Sequence, residues 1–136
     1  MPDVFTPSKR SEVMSKIRSR GNRETELLFA ALLRKNRICG WRRHLPIMGR
    51  PDFTFKRERV AVFIDGCFWH SCPKCGNMPV NNREFWSQKL GANKRRDRKV
   101  TRLLSRDGWR VVRIWEHELR DKEAIIARVR AVLSDA

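Results

Sequence analysis

Two apolar runs limit the folds that this chain of 136 residues can adopt. Residues 59–65 (RVAVFID) have the near-continuous apolar pattern of a central β-strand, and residues 109–115 (WRVVRIW) have a similar pattern. Two shorter strands are predicted before them, over residues 41–45 and 52–55. Since a long basic segment with helical character, Arg83–Arg106, separates the two apolar runs, the pattern predicts a fold of the α/β class.

Helical patterns occupy most of the remaining chain. A basic helix is predicted over residues 8–20, and a second helix over residues 23–35 has its acids early and its bases late, which suits the helix dipole. A surface helix over residues 121–133 is predicted to cover the sheet. Residues 66–82 lack periodicity and are predicted to form a loop. No repeat or linker divides the sequence, and we expect one domain over residues 1–136.

The charge balance points to a polyanionic partner. The chain has 31 Lys and Arg residues against 15 Asp and Glu residues, a formal net charge of +16. Residues 116–136 hold four of the bases and five of the acids, so the surplus lies in the first 115 residues. Nucleic acid is the first candidate, because each phosphate that is neutralised releases condensed counterions. The sequence has no run of about 20 apolar residues and no apolar N-terminal stretch, and we expect a cytoplasmic protein.

A cysteine cluster predicts a structural metal site in the loop of residues 66–82. Cys67, Cys72 and Cys75 have the spacing C-x4-C-x2-C, and a loop so poor in core residues needs another means of holding its shape. A structural zinc ion takes four nitrogen or sulfur ligands, so this cluster lacks one. The candidates for the fourth ligand are Cys39, His44, His70 and His117. We favour His117, which follows the second apolar run, and expect Cys39 to be a buried thiol.

The few acidic residues predict a second, catalytic metal site. Asp52 begins a short strand, and the apolar strand that follows it ends in Ile64 and Asp65. If these two strands are adjacent and diverge, Asp52, the Ile64 carbonyl and Asp65 come near one point. Such oxygens suit Mg²⁺, which supports the hydrolysis of phosphodiesters.

Two further carboxylates lie on helix faces that are predicted to point inward. Glu26 shares a face with Phe29 and Leu33, and a helix-dipole role is the alternative for it. Asp97 falls on the apolar stripe of the long helix, where a carboxylate needs a partner. That partner is either His70, which would then be poised for proton transfer, or a local arginine.

Aromatic residues beside basic ones predict contacts with DNA bases. Phe68 and Trp69 lie in the cysteine loop, and Phe85 and Trp86 open the basic helix. Surface side chains of this kind stack on bases or wedge between base pairs. The two tryptophans of residues 109–115 are expected in the core instead.

Five sequence blocks, in this order and at these spacings, resemble the very short patch repair (Vsr) DNA mismatch endonucleases. The blocks are GRPDF, VFIDGCFWHSCPKC, NREFW, NKRRDR and GWRVVRIWEHEL, and the resemblance extends from about Ser8 to Leu119. It implies a fold like that of the type II restriction endonucleases, a mixed central sheet flanked by helices, with a structural zinc and a catalytic Mg²⁺. It also implies an activity: family members recognise the T·G mismatch left when 5-methylcytosine deaminates, and cut the strand 5′ to the mismatched thymine.

The resemblance implies roles for the catalytic residues. Asp52 and the Ile64 carbonyl are expected to bind Mg²⁺, and Glu26 is expected to hold water at that metal. His70 is expected to act as general acid and base, oriented by Asp97.

One of these positions departs from the family. Asp65 stands where the best-studied member has a second active-site histidine; an aspartate could bind metal there but is a poor proton donor at neutral pH. The zinc ligands also depart from the family, because the best-studied member uses a different mix of histidine and cysteine. The zinc ligands are expected to be Cys67, Cys72, Cys75 and His117. The DNA contacts are expected from a basic N-terminal arm of residues 1–20 with Lys16, Arg18 and Arg20, from a wedge of Phe68, Trp69 and Trp86, and from Lys94 and Arg95.

Two alternatives stay open at this point. A nuclease of the same fold could cut another DNA target, and a zinc-stabilised nucleic-acid-binding module could lack catalysis altogether. Asp52, Glu26 and Asp97 favour a nuclease, because a protein that only binds phosphates has no use for these acids. The expected partners are duplex DNA with a T·G mismatch, a MutL-type mismatch-repair protein and, functionally, a DNA cytosine-5 methyltransferase. We expect a monomer that associates with the nucleoid.

Overall fold

The computed structural model describes residues 24–67, residue 72 and residues 81–134. The helix predicted over residues 8–20 lies outside these ranges, and the elements within them follow the predicted order. They are α1 (residues 24–35), β1 (Trp41–Arg43), β2 (Phe53–Phe55), β3 (Val60–Asp65), α2 (Arg83–Arg106), β4 (Arg110–Trp115), a 3-10 helix (Glu116–Arg120) and α3 (Lys122–Ser134).

The strands form one mixed sheet in the order β1-β2-β3-β4. The first three are joined as antiparallel neighbours, whereas β3 and β4 run parallel over six residue pairs, from Val60 with Arg110 to Asp65 with Trp115. All six residues of β3 are buried, as its continuous apolar pattern predicts for a strand covered on both faces. The parallel pair needs a long crossover, and the chain between the two strands contains α2.

Helices cover both faces of this sheet. Because side chains alternate along a strand, those of β3 pack against helices on both faces. Val60, Val62 and Ile64 of β3 belong to the larger core cluster, which includes residues of α1, β2, β4 and α3. Ala61 and Phe63 point the other way and pack with Leu104 of α2 in a smaller cluster. The predicted arrangement of a sheet flanked by helices is therefore confirmed for the described residues.

The loop before β2 lies close against α2. Gly49 has a φ of 76°, and a Cβ at this position would overlap the Cγ1 atom of Val100. A side chain at residue 49 would thus meet both a strained backbone and a steric clash. This close approach holds the segment that leads into Asp52 next to the long helix.

The element boundaries agree with the sequence pattern to within one residue except at two places. The long helix covers Arg83–Arg106 as predicted, and Gly108 follows it with a φ of 86°. However, β1 ends at Arg43 and not at residue 45, because His44 has a φ of 53°, outside the extended region. The 3-10 helix after β4 was not predicted; the Glu118 side chain supports it by accepting a hydrogen bond from the Trp115 N–H at 2.8 Å. Among the described helices, none is both long and apolar enough to cross a membrane.

Candidate active site and metal centre

A pair of carboxyl groups from distant parts of the chain forms the centre of the first site. Asp52 immediately precedes β2, and Glu26 extends from α1 with only 7% of its surface exposed, as its inward helix position predicts. Burial and a hydrogen bond with Glu26 raise the pKa of Asp52 from 3.8 to about 8, and the negative charges of Glu26 and Asp65 add to the rise. The Ile64 N–H opposes this by donating to Asp52 Oδ2 at 2.7 Å. Two carboxylates in such contact are stabilised in their ionised forms by a cation.

Two basic side chains from the end of β1 reach the same carboxylate. Arg43 Nη2 lies 2.7 Å from Glu26 Oε2, and His44 Nε2 lies 3.3 Å from the same oxygen. The His44 side chain is 57% exposed, whereas the Glu26 side chain is 10% exposed. Glu26, His44 and Asp52 each place one potential ligand atom within 4.8 Å of the others. These three residues, the Glu26–His44–Asp52 group, have the donor atoms of a cation site.

Asp52 also lines a cavity of about 600 Å³ that is large enough for a phosphate group and its surroundings. The cavity lies between the strand ends, the Gly49 loop and α2, and its charged residues combine acids with arginines. They are Asp52, Asp65 and Asp97, together with Arg50, Arg96 and Arg113.

The other two carboxylates of this cavity meet around a single guanidinium. Arg113 of β4 donates from Nη1 to both oxygens of Asp65, at 3.1 and 3.2 Å, and from Nη2 to the Asp97 carbonyl oxygen at 3.1 Å. Arg113 Nη1 lies 4.0 Å from Asp97 Oδ1. Asp97 thus has an arginine partner, but this arginine comes from β4 and is not a local residue of α2, as the sequence interpretation had it. His70, the alternative partner, lies outside the described residues, so its proposed roles stay predictions.

A second group of potential ligands lies just beyond the ends of β3 and β4. His117 Nδ1 is 3.4 Å from Cys67 Sγ and 3.5 Å from Cys72 Sγ, and both thiols are buried. This geometry agrees with the prediction from the sequence that His117 is a metal ligand together with these cysteines. Cys75 lies outside the described ranges. The expectation that Cys39 is buried is wrong, because its thiol is exposed in the turn that follows α1.

The predicted DNA-contacting residues are only partly described. Lys94 and Arg95 are exposed on α2. At the start of that helix Trp86 is 4% exposed and Phe85 is 56% exposed, because Trp86 shares the inward stripe of Leu90. The wedge role of Trp86 stays a prediction. The other predicted contacts lie outside the described residues: Lys16, Arg18, Arg20, Phe68 and Trp69.

Sequence reasoning missed the two arginines that hold the acids in place. Arg43 and Arg113 are each separated from their carboxylate partners by many residues, 17 for Glu26 and 48 for Asp65. Arg113 did carry a signal, because a charged side chain between the apolar residues Val112 and Ile114 of a strand needs a partner. The signal does not say which acid that partner is.

Comparison with known proteins identifies the family. The chain matches the family model described as DNA mismatch endonuclease Vsr over residues 2–75. It is 35% identical to the type II nicking enzyme V.XorIIP of Xanthomonas oryzae pv. oryzae over 98% of each chain. It is also 35% identical to the DNA mismatch endonuclease Vsr of Escherichia coli, over 92% of this chain and 80% of that protein. A 53% identity to the type II nicking enzyme V.NaeI of Lentzea aerocolonigenes is confined to 57% of this chain and 47% of the relative.

The carboxylate pair, the charged cavity and these relatives together define a DNA endonuclease. The chain belongs to the Vsr family of DNA mismatch endonucleases.

Proposed function

We propose that this protein nicks duplex DNA 5′ to the thymine of a T·G mismatch, with Mg²⁺ as its catalytic cation. The observation that carries the proposal is the contact between Asp52 and Glu26 at the edge of a cavity in a strongly basic chain. A buried acid in contact with a half-buried one is unfavourable beside DNA unless a cation is bound between them and the phosphate. The mismatch itself, and the functional link to a DNA cytosine-5 methyltransferase that it implies, rest on the family.

The residues present fit a magnesium ion. Asp52 and Glu26 supply carboxylate oxygens, the donor type that Mg²⁺ prefers, and the Ile64 carbonyl is the further ligand that we assign. When bound, Mg²⁺ would act as a Lewis acid on the scissile phosphate. Glu26 would orient the attacking water, and Arg43 would hold the Glu26 carboxylate in place for that task.

Proton transfer is assigned to His70, with Asp97 as its orienting partner. Asp97 faces the cavity and is fixed at its backbone by Arg113. Asp65 is a poor candidate for the same role, because its ion pair with Arg113 favours the carboxylate, which has no proton to give.

The cysteine group is assigned to a structural zinc ion held by Cys67, Cys72, Cys75 and His117. A tetrahedral zinc ion keeps a thiolate sulfur and an imidazole nitrogen about 3.6 Å apart, given its usual bond lengths. The two sulfur-to-nitrogen distances of 3.4 and 3.5 Å fit that edge of the tetrahedron. Both thiols converge on one ring nitrogen, which has a single lone pair, so a shared cation explains the arrangement better than two hydrogen bonds.

Strand cleavage of end-labelled duplexes tests the proposal. Duplexes with a T·G mismatch in varied flanking sequences are compared with fully paired duplexes and with other mismatches, for the wild type, Asp52→Asn and Glu123→Gln. Glu123 is an exposed acid at the start of α3 and serves as the charge-matched control. We expect a magnesium-dependent nick 5′ to the mismatched thymine that disappears only in Asp52→Asn.

The alternatives give other results in the same assay. Cleavage of fully paired duplexes or other mismatches at an equal rate would indicate a nuclease with another target. Binding without cleavage in every sequence context, unchanged in Asp52→Asn, would indicate a nucleic-acid-binding module.

A further inference from the structure

The backbone bends at His44, where β1 passes into the following loop. Successive side chains of an extended strand point to opposite faces, so neighbouring residues rarely reach the same group. Arg43 and His44 nevertheless both contact Glu26 Oε2. They can do so because His44 has a φ of 53°, which turns its imidazole to the side that Arg43 occupies. This left-handed conformation is uncommon and costly for a residue with a Cβ.

The surrounding structure maintains this strained residue. The His44 N–H donates to the Asp52 carbonyl oxygen at 3.4 Å, which continues the β1–β2 pairing one step beyond Arg43 and Phe53. His44 is thereby tied by its backbone to the residue that carries the central carboxylate. Costly backbone conformations that neighbours hold in place are found preferentially at functional sites.

The charges of the group leave room for a cation. Glu26 and Asp52 can carry one negative charge each, and Arg43 offsets one of them. The ligand atoms of Glu26, His44 and Asp52 lie within 4.8 Å of one another, and His44 is on the solvent side, where an ion would enter. Oxygen ligands suit both Mg²⁺ and Mn²⁺, but an added imidazole nitrogen favours a first-row transition cation such as Mn²⁺ or Co²⁺ over Mg²⁺, which prefers oxygen ligands.

We propose that His44 supplies a nitrogen ligand to the divalent cation at Asp52 and Glu26, and so raises the affinity of this site for Mn²⁺ relative to Mg²⁺. This inference rests on the catalytic metal site of the proposed function. His44 is then a metal ligand and not merely a salt-bridge partner of Glu26. Its loss weakens Mn²⁺ binding more than Mg²⁺ binding.

The test is electron spin-echo spectroscopy of bound Mn²⁺, which detects a directly coordinated ¹⁴N nucleus without requiring activity or DNA. The zinc-loaded full chain is titrated with Mn²⁺ as wild type, His44→Asn and His70→Gln. Asparagine tolerates the left-handed backbone, so His44→Asn removes the imidazole with little strain. The chain has three histidines, and His70→Gln controls for the other one that is assigned to the active site.

We expect ¹⁴N modulation in the wild type and in His70→Gln, and its loss in His44→Asn. We also expect Mn²⁺ affinity to fall about tenfold in His44→Asn, with a smaller change for Mg²⁺. Modulation that persists in His44→Asn would overturn the inference and leave His44 as a partner of Glu26 alone. Asp52→Asn tests the metal site of the proposed function separately. If this variant binds Mn²⁺ and Mg²⁺ as the wild type does, that metal site is wrong as well.

Thermal unfolding of each variant verifies that it is folded. If His44→Asn does not fold, His44→Gly replaces it, because glycine also tolerates this backbone conformation.

Discussion

Arg113 and Asp65 form a two-oxygen ion pair between neighbouring strands, with Arg113 Nη1 at 3.1 and 3.2 Å from the Asp65 carboxylate. The same guanidinium donates from Nε to Thr101 at 2.9 Å and from Nη2 to the Asp97 carbonyl oxygen. One side chain of β4 thus links β3 to the middle of α2 along the wall of the cavity.

Replacing Arg113 by methionine is expected to destabilise the protein. The Asp65 side chain is 7% exposed, so Arg113→Met leaves a buried carboxylate without its cation, at a cost of about 2 to 4 kcal/mol in unfolding free energy. Arg128→Met removes an exposed pair with Glu118 and should cost less than about 1 kcal/mol. Urea unfolding measures both. If both variants lost the same unfolding free energy, the buried Arg113–Asp65 pair would contribute no more to stability than the exposed Arg128–Glu118 pair.

Asp52 is expected to make the stability of the zinc-loaded, magnesium-free protein depend on pH. Because the pKa of Asp52 is about 8 in the folded state and ordinarily 3.8, the folded chain binds more protons than the unfolded chain between these values. The unfolding free energy therefore falls as the pH rises from about 4 to 8, and this contribution is complete above pH 8. Asp52→Asn should remove this part of the slope and be about 1 to 3 kcal/mol more stable than the wild type at pH 8.

The control for this pH dependence is Glu123→Gln, which replaces an exposed acid. Urea unfolding at several pH values between 5 and 8.5 gives the slopes. A slope in Asp52→Asn that matches the wild type would contradict the assignment of the raised pKa to Asp52.

The cysteine group is expected to hold one zinc ion per chain. Cys67→Ser, Cys72→Ser and His117→Ala should each release the metal and lower the unfolding free energy by more than about 3 kcal/mol. Cys39→Ser removes an exposed thiol and should retain full zinc content. Native mass spectrometry counts the metal. Full zinc occupancy in His117→Ala would exclude His117 as a ligand.

Lys94 and Arg95 are expected to contact DNA phosphates from the exposed side of α2. Alanine at either position should weaken binding to all sequences alike and reduce the slope of log affinity against log salt by about 1. Arg130→Ala is the matched control, because Arg130 is exposed on α3 and bonds to the Asn36 carbonyl oxygen. Fluorescence anisotropy at several salt concentrations measures the slopes. If Arg130→Ala changed the slope as much as the alanine variants of Lys94 and Arg95, the DNA-binding surface would not be specific to this side of α2.

Local patterns made much of the fold predictable. The continuous apolar run of β3 indicated a strand buried on both faces, and the boundaries of α2 follow from its helical pattern and from Gly108. The inward position of Glu26 and the position of His117 after β4 were also predictable, because helix periodicity and strand ends can be derived from neighbouring residues.

Contacts between distant residues could not be predicted in the same way. The choice of Arg113 as the partner of Asp65 depends on the register of two parallel strands 48 residues apart. The left-handed backbone at His44 could not be predicted, because this position lacks the glycine or asparagine that commonly indicates a positive φ. The exposure of Cys39 depends on where the chain leaves α1, which its own sequence does not state.

The contact between Glu26 and Asp52 makes nuclease activity a property of the whole fold. Glu26 is supplied by α1, Asp52 by the loop that Gly49 holds against α2, and the remaining acids by β3 and α2. A chain that has lost the packing of any one of these elements has its acids dispersed and cannot gather them around a cation. We therefore expect a partly folded copy, which still carries the positive charge that attracts DNA, to bind DNA without cutting it.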